Sequence, residues 1–170
     1  PDIGGAGSLV VASRGQGAWV TPLDDPGEFS PLHVSQRAKP SQARLLRSFE
    51  SGHTNVSQID EFVEVMGIHA KPVRMDSQAK YAVLATGKGD LLLRLLSTSN
   101  PNYREKIWDQ AAGSIILEES GGRITDILGK ELDFTQGRIL AKNRGICASN
   151  GLLHRAALKA LDAIGAWSGA

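Results

Sequence analysis

A chain of 170 residues, 41% apolar and 22% charged, fits one soluble globular domain or one lobe of something larger, and excludes disorder as the default. Nineteen basic residues against eighteen acidic ones leave a net charge of +1, which gives no electrostatic footprint for nucleic acid, a membrane surface or a polyanion. The single cysteine, Cys147, cannot form an internal disulfide, and no apolar run approaches the roughly 20 residues a bilayer demands, so a reducing, cytoplasmic setting is expected with Cys147 as a buried inert thiol.

The first residues, "PDIGGAGSLVVASRGQGAW", carry no signal-peptide pattern and run straight into strand-like sequence, as a chain entered partway through a fold would. Leu9 to Ala12 and Ala18 to Val20 predict a hairpin, because "SRGQG" supplies two glycines for positive backbone angles. Residues 21–41 hold four of the seven prolines and read as a surface connection around a short strand near Leu32 to Val34. Then "ARLLRSFE" predicts a strand, "SGHTN" a loop, and "SQIDEFVEVMG" a helix whose Ile59, Phe62, Val63 and Met66 share one face and whose stop is Gly67. "KPVRM" reads as a buried strand, "DSQAKYAVLATG" as a helix capped by Asp76 or Ser77 and closed by Gly87, and "DLLLRL" as another strand. A helix from Lys106 or Trp108 to Ser120 ends at Gly121 and Gly122. "RITDILGKELDF" predicts a hairpin turning at Gly129, "GICAS" a last buried strand, and "NGLLHRAALKALDAIG" a helix with Asn150 as its cap. Strands alternating with helices imply a layered α/β arrangement.

In open α/β sheets, ligands collect where strand C-termini meet the following helix starts. Several polar residues fall at such junctions: His53 after the strand through Glu50; Asp76, Ser77 and Lys80 after Met75; Arg94 at the end of "DLLLR"; and Asp109 in the opening turn of its helix. Each has two readings. His53 suits a solvated loop or a ligand contact, and Ser77 a helix cap or a phosphate contact. Lys80 suits an exposed helix position or, beside Ser77 at a helix start, an anion site. Arg94 interrupts an apolar strand and needs an anionic partner, either a buried acid or a ligand. Asp109 is stabilised by the helix dipole, yet Ala111, Ala112 and Gly113 leave space beside it, and one helix carboxylate with a substrate phosphate is a partial shell for Mg²⁺.

The stretch "WDQAAGSIILEESGGRITDILGKELDF" resembles the C-terminal signature of the lithium-sensitive, magnesium-dependent phosphomonoesterases of the inositol monophosphatase superfamily. With it, "GSLVVASRGQGAW", "FESGHTN", "VRMDSQAKYAVLATGKGDLLLRL" and "YREKIWD" resemble the 3'(2'),5'-bisphosphate nucleotidase branch, whose reaction converts adenosine 3',5'-bisphosphate to AMP. The resemblance implies the C-terminal lobe of that fold over residues 43–170, a mixed sheet flanked by helices, preceded over residues 1–42 by a hairpin and connection from an incomplete N-terminal lobe. By the same resemblance Asp109 would be the last metal ligand, and His53, Ser77, Lys80 and Arg94 would contact the nucleotide and its phosphates. The small residues after Asp109 would admit phosphate to the helix end, and Trp108 would pack and anchor the turn.

The family's Asp-Pro-Ile-Asp-Gly-Thr motif and its upstream acids, which supply most metal ligands, have no counterpart here, since Asp-Pro occurs only in "DDPGE". The expected partner is therefore the missing half of the same enzyme, and this segment alone is expected to be inactive. A sibling activity on inositol phosphates, or a role as a binding module, are the alternatives.

Overall fold

Ser8–Ser13 (β1) and Gly17–Pro22 (β2) pair antiparallel around a turn in which Gly15 and Gly17 take the positive φ that the sequence predicts. Ser30–Pro31 (β3) pairs antiparallel with β2 and completes a three-stranded sheet. The computed structural model describes residues 7–24, 27–49, 55–97 and 100–166.

The rest of the described chain builds a second sheet and the helices around it. Leu45–Arg47 (β4) is followed by Val56–Met66 (α1), and Val73–Arg74 (β5) by Ala79–Ala85 (α2). Leu91–Arg94 (β6) then leads to Ile107–Glu119 (α3), and Arg123–Thr125 (β7) and Ile146–Ser149 (β8) lead to His154–Ala163 (α4). The sheet is mixed, in the order β5-β4-β6-β8-β7, with β5, β4 and β6 parallel and β8 antiparallel to both β6 and β7.

Alternation along these strands divides the core in two. Leu45, Leu91, Leu93 and Cys147 face α1 and α4, meeting Ile59, Phe62, Ala157 and Leu161. Leu46, Leu92, Ile146 and Ala148 face the other way, onto Tyr81 and Leu84 of α2 and Leu117 of α3. The far side of the α2 and α3 layer receives the small sheet, where Ala18, Val20 and Leu32 pack with Ala85 and Ile116. The molecule is thus a layered α/β structure, as the alternation of elements implies. No helix among the described residues is long and apolar enough to cross a membrane.

Several elements depart from the sequence pattern for identifiable reasons. Leu32 and Val34 are buried, but the strand ends at Pro31 because Val34 N–H leaves β2 to bond Ser120 O at the end of α3, 3.0 Å away. β5 is a two-residue edge strand with Arg74 exposed, not a buried one. α2 begins after the residues expected to cap it. Ser77 Oγ accepts from Ala79 N–H at 3.2 Å, while Asp76 Oδ1 accepts from Phe49 N–H at 3.1 Å and ties the end of β4 to the end of β5. Gly129 does turn the chain at φ +81°, yet the return is no strand. The wholly buried Asp126 carboxylate takes the N–H groups of Leu128, Lys130 and Arg144, replacing a second β-ladder. Asn150 caps the turn before α4, accepting from Leu153 N–H at 3.1 Å, and its amide donates to Ser35 and Arg37 in the 35–44 connection.

Candidate active site

Because β4, β5 and β6 are parallel, their C-terminal ends share one edge of the sheet, where ligands bind in open α/β folds. Ser48 follows β4, and Asp76, Ser77 and Gln78 join β5 to α2. Arg94 ends β6, and Asp109 lies in the first turn of α3. These residues, with Lys80, Tyr81, Leu92 and Tyr103, line one cleft of about 350 Å³. Four of the five residues singled out in the sequence, Ser77, Lys80, Arg94 and Asp109, therefore converge. The fifth, His53, lies outside the described residues.

Each cleft residue is held by its local structure. Ser77 takes φ +70°, a region that costs a non-glycine residue of order 1–2 kcal/mol, and this conformation turns its hydroxyl onto the start of α2. Lys80 is not an exposed helix lysine. It is only 6% exposed, and its Nζ donates to Ser48 Oγ at 2.6 Å. Burial, aided by the nearby Arg94 charge, pulls its pKa below the usual lysine value, while Asp76 and Glu105 work the other way. An ammonium taken from water with a neutral hydroxyl as its acceptor has the chemistry that an anionic partner would complement.

Arg94 has the buried acid that one of its two readings requires. Its Nε donates to Glu105 Oε1 at 2.9 Å, an ion pair within the fold, and the side chain still reaches the cleft. Burial works against the guanidinium charge, but Glu105 outweighs it and raises the Arg94 pKa. Glu105 belongs to a buried chain: its Oε2 accepts from Gln110 Nε2 at 2.7 Å, and Gln110 Oε1 accepts from Tyr81 Oη at 2.5 Å. Glu105 and Gln110 are 5% and 0% exposed. Burial drives the Tyr81 phenol well above the ordinary tyrosine range, so it stays a neutral donor.

The small residues after Asp109 do something other than admit a ligand. Gly113 is buried under the Tyr81 ring, and Ala111 and Ala112 are exposed on faces that do not line this cleft. Trp108, expected to pack and anchor the turn, is not part of the core. It is 56% exposed, and its ring is covered by the Arg138 guanidinium 5.4 Å from the centroid. From this helix Asp109 alone, half-buried, lines the cleft.

As a metal site the described residues are incomplete. No group of three or more His, Cys, Asp or Glu side chains able to hold an ion occurs among them. Asp109, with its carboxylate in the same cleft as Lys80 and Arg94, fits one oxygen ligand of a hard-cation shell that waters, a phosphate and further carboxylates complete. Ser48 carries no periodic or motif signal, and Tyr103, Glu105 and Gln110 fall inside "YREKIWD" and "WDQAAG" without standing at a strand end or helix start that would single them out, so sequence reasoning passes over them.

Comparison with known proteins adds a lineage to this geometry. Residues 5–166 match the inositol monophosphatase family. The chain is 42% identical over 159 residues to a 3'(2'),5'-bisphosphate nucleotidase of Oryza sativa, covering 93% of this chain and 43% of the relative. A protein of the same name from Emericella nidulans is 41% identical over 147 residues, covering 85% of this chain and 41% of the relative. The chain thus spans less than half the length of these curated relatives. Among solved structures, inositol monophosphatase from Anabaena superposes with a TM-score of 0.67 at 23% identity, over 96% of this chain and 57% of that one, a likeness of fold. The chain belongs to the inositol monophosphatase family.

Proposed function

We propose that this chain carries the substrate-recognition half of a phosphomonoesterase acting on adenosine 3',5'-bisphosphate, releasing the 3'-phosphate to leave AMP. The observation that carries the reading is the convergence of Lys80 and Arg94 with Asp109 on one cleft. Two cationic side chains and one carboxylate match a ligand with more than one phosphate, one of them shared with a divalent ion. The identity to proteins named 3'(2'),5'-bisphosphate nucleotidase supports this substrate. Two cations favour a bisphosphate over the single phosphate of an inositol monophosphate.

Hydrolysis breaks the bond between phosphorus and the 3'-oxygen; water supplies the new oxygen on phosphorus, and a proton ends on the departing hydroxyl. Asp109 would contribute one ligand to Mg²⁺, which when bound polarises phosphoryl oxygens. This chain's own residues bind and orient. Lys80, largely withdrawn from water, and Arg94, backed by Glu105, hold phosphate oxygens at fixed positions, while Ser77 offers a hydroxyl at the start of α2. His53 is assigned to the nucleotide by the family resemblance alone.

Calorimetric titration of the chain with adenosine 3',5'-bisphosphate and with inositol 1-phosphate, each with Mg²⁺, tests the substrate. Tighter binding of the nucleotide is expected, and equal or reversed affinities contradict it. Phosphate release by these residues alone is expected to be negligible, because no group of three or more metal-ligating side chains occurs among the described residues. Substantial Mg²⁺-dependent turnover would contradict that.

A further inference from the structure

We infer that Glu105, backed by Gln110 and Tyr81, is a positioning residue that fixes the Arg94 guanidinium for the phosphate it binds; this rests on the proposed phosphate-binding role of the cleft. The geometry is directional. Glu105 accepts from Nε of Arg94, at the back of the guanidinium. A carboxylate that took both terminal nitrogens in a fork would compete with phosphate for the same donors. Held along its Nε edge, the guanidinium plane is fixed while the Nη hydrogens of its other edges remain for a phosphate, and Arg94 lines the cleft.

Glu105 in turn has no freedom to move. It is 5% exposed, its second oxygen is held by Gln110, and Gln110 is held by the Tyr81 hydroxyl. The chain Tyr81, Gln110, Glu105, Arg94 runs from α2 through α3 and the segment before it to β6, so three elements fix one side chain. The charge sequence also matters. Lys80 and Arg94 line the same cleft and repel each other, and a carboxylate behind Arg94 offsets that repulsion without offering an open acid to the phosphate. A neutral Gln110 at the far side leaves a single negative charge in the chain.

The experiment is a double-mutant cycle in affinity, read by calorimetric titration of the 170-residue chain with adenosine 3',5'-bisphosphate in Mg²⁺. Glu105→Gln is expected to weaken binding by about 10-fold in the parent chain and by less than about 2-fold in an Arg94→Ala background, because its effect passes through Arg94. Equal weakening in both backgrounds marks a merely structural residue and overturns the inference. Unchanged affinity of Glu105→Gln, with Arg94→Ala weakened, overturns it while leaving the phosphate role of the cleft intact. If Arg94→Ala binds like the parent, or the parent binds nothing, the phosphate role itself falls and takes this inference with it. Tyr81→Phe keeps the ring and removes the end of the chain, so it carries the same cycle should Glu105→Gln fail to fold; a smaller loss of about 2- to 3-fold, absent in the Arg94→Ala background, is expected.

Discussion

Gly113 lies face to face with the Tyr81 ring: a Cβ added to Gly113 would stand 2.3 Å from Tyr81 Cδ2. No real carbon pair tolerates that distance, and the ring cannot retreat, because it is 2% exposed and its hydroxyl is held by Gln110. The glycine in "WDQAAG" is therefore a docking surface between α2 and α3. It sets the distance between the helix that carries Lys80 and the helix that carries Asp109.

Gly113→Ala is expected to destabilise the protein although alanine is the better helix former. The propensity gain is up to about 1 kcal/mol, and overpacking a rigid core costs about 1–3 kcal/mol, so a net loss of up to about 2 kcal/mol is expected. Urea denaturation measures it. A raised midpoint would show that the helices part without cost.

Lys80→Met separates binding from stability. The lysine has been taken from water with Ser48 as its hydrogen-bond acceptor, so an apolar side chain of similar length relieves a desolvation penalty. The melting midpoint is expected to hold or rise, while affinity for adenosine 3',5'-bisphosphate falls about 10- to 100-fold. A variant that melts lower and binds normally would make Lys80 a structural residue.

The buried His154 predicts an acid-sensitive fold. Its imidazole sits between Thr125 Oγ1 at 3.0 Å and Ser149 Oγ at 2.9 Å. Thr125 Oγ1 already donates to Asp126 O, so it accepts from Nε2–H, and Nδ1 accepts from Ser149. This arrangement suits the neutral ring. Burial, with some help from the Arg123 charge, lowers its pKa from 6.5 to about 4. The folded pKa lies below the unfolded one, so the unfolded chain binds the proton first. The stability from this group is whole above pH 6.5 and drains as pH falls toward 4, at up to about 1.4 kcal/mol per pH unit. Urea midpoints between pH 7 and 4 follow the trend, and His154→Gln is expected to flatten it. An equal slope in that variant would assign the effect elsewhere.

Asp90 holds the connection between the two sheets. Its wholly buried carboxylate accepts from the Ser35 hydroxyl, from Arg37 Nε at 3.2 Å, and from Arg44 through backbone N–H at 2.7 Å and Nε at 3.1 Å. Burial raises its pKa, but the bonds from Arg44 and Ser35 outweigh it and hold the carboxyl below the usual range. Asp90→Ala leaves two guanidiniums without their acid. Because both are about a third exposed, a cost of about 2–3 kcal/mol is expected instead of a fully buried pair's 3–5. Limited proteolysis should cut residues 35–44 faster, and unchanged cleavage would contradict the role.

Much of the fold was legible because its strands are short apolar runs and its helices carry apolar stripes. "DLLLR" and "GICAS" emerge as β6 and β8, and the Ile59, Phe62 and Met66 face of α1 is buried as its spacing implies. α3 is the exception that matters. Its buried positions are Gln110, Gly113, Ser114 and Leu117, a helical stripe in which only one member is a large apolar residue. Trp108, the bulkiest residue of that helix, lies outside. Pattern reading therefore placed the helix correctly and its packing incorrectly. The same holds for the cleft. Strand ends and helix starts pointed to Ser77, Lys80, Arg94 and Asp109, but the support behind Arg94 comes from Glu105, eleven residues away, and reaches Tyr81 across two helices. No periodicity links those positions; only the packed fold does. The hairpin expected after Thr125 does not form for a different reason: a single buried acid, Asp126, organises the loop where strand pairing was expected.

A crystal structure of the chain soaked with adenosine 3',5'-bisphosphate and Mg²⁺ tests the central claim most directly. The account predicts a phosphate within hydrogen-bond distance of Lys80 Nζ and the terminal nitrogens of Arg94, with Asp109 facing the cation. Nucleotide density confined to another surface, such as the cleft between Arg14 and Phe134, with the Lys80 cleft empty, would contradict it.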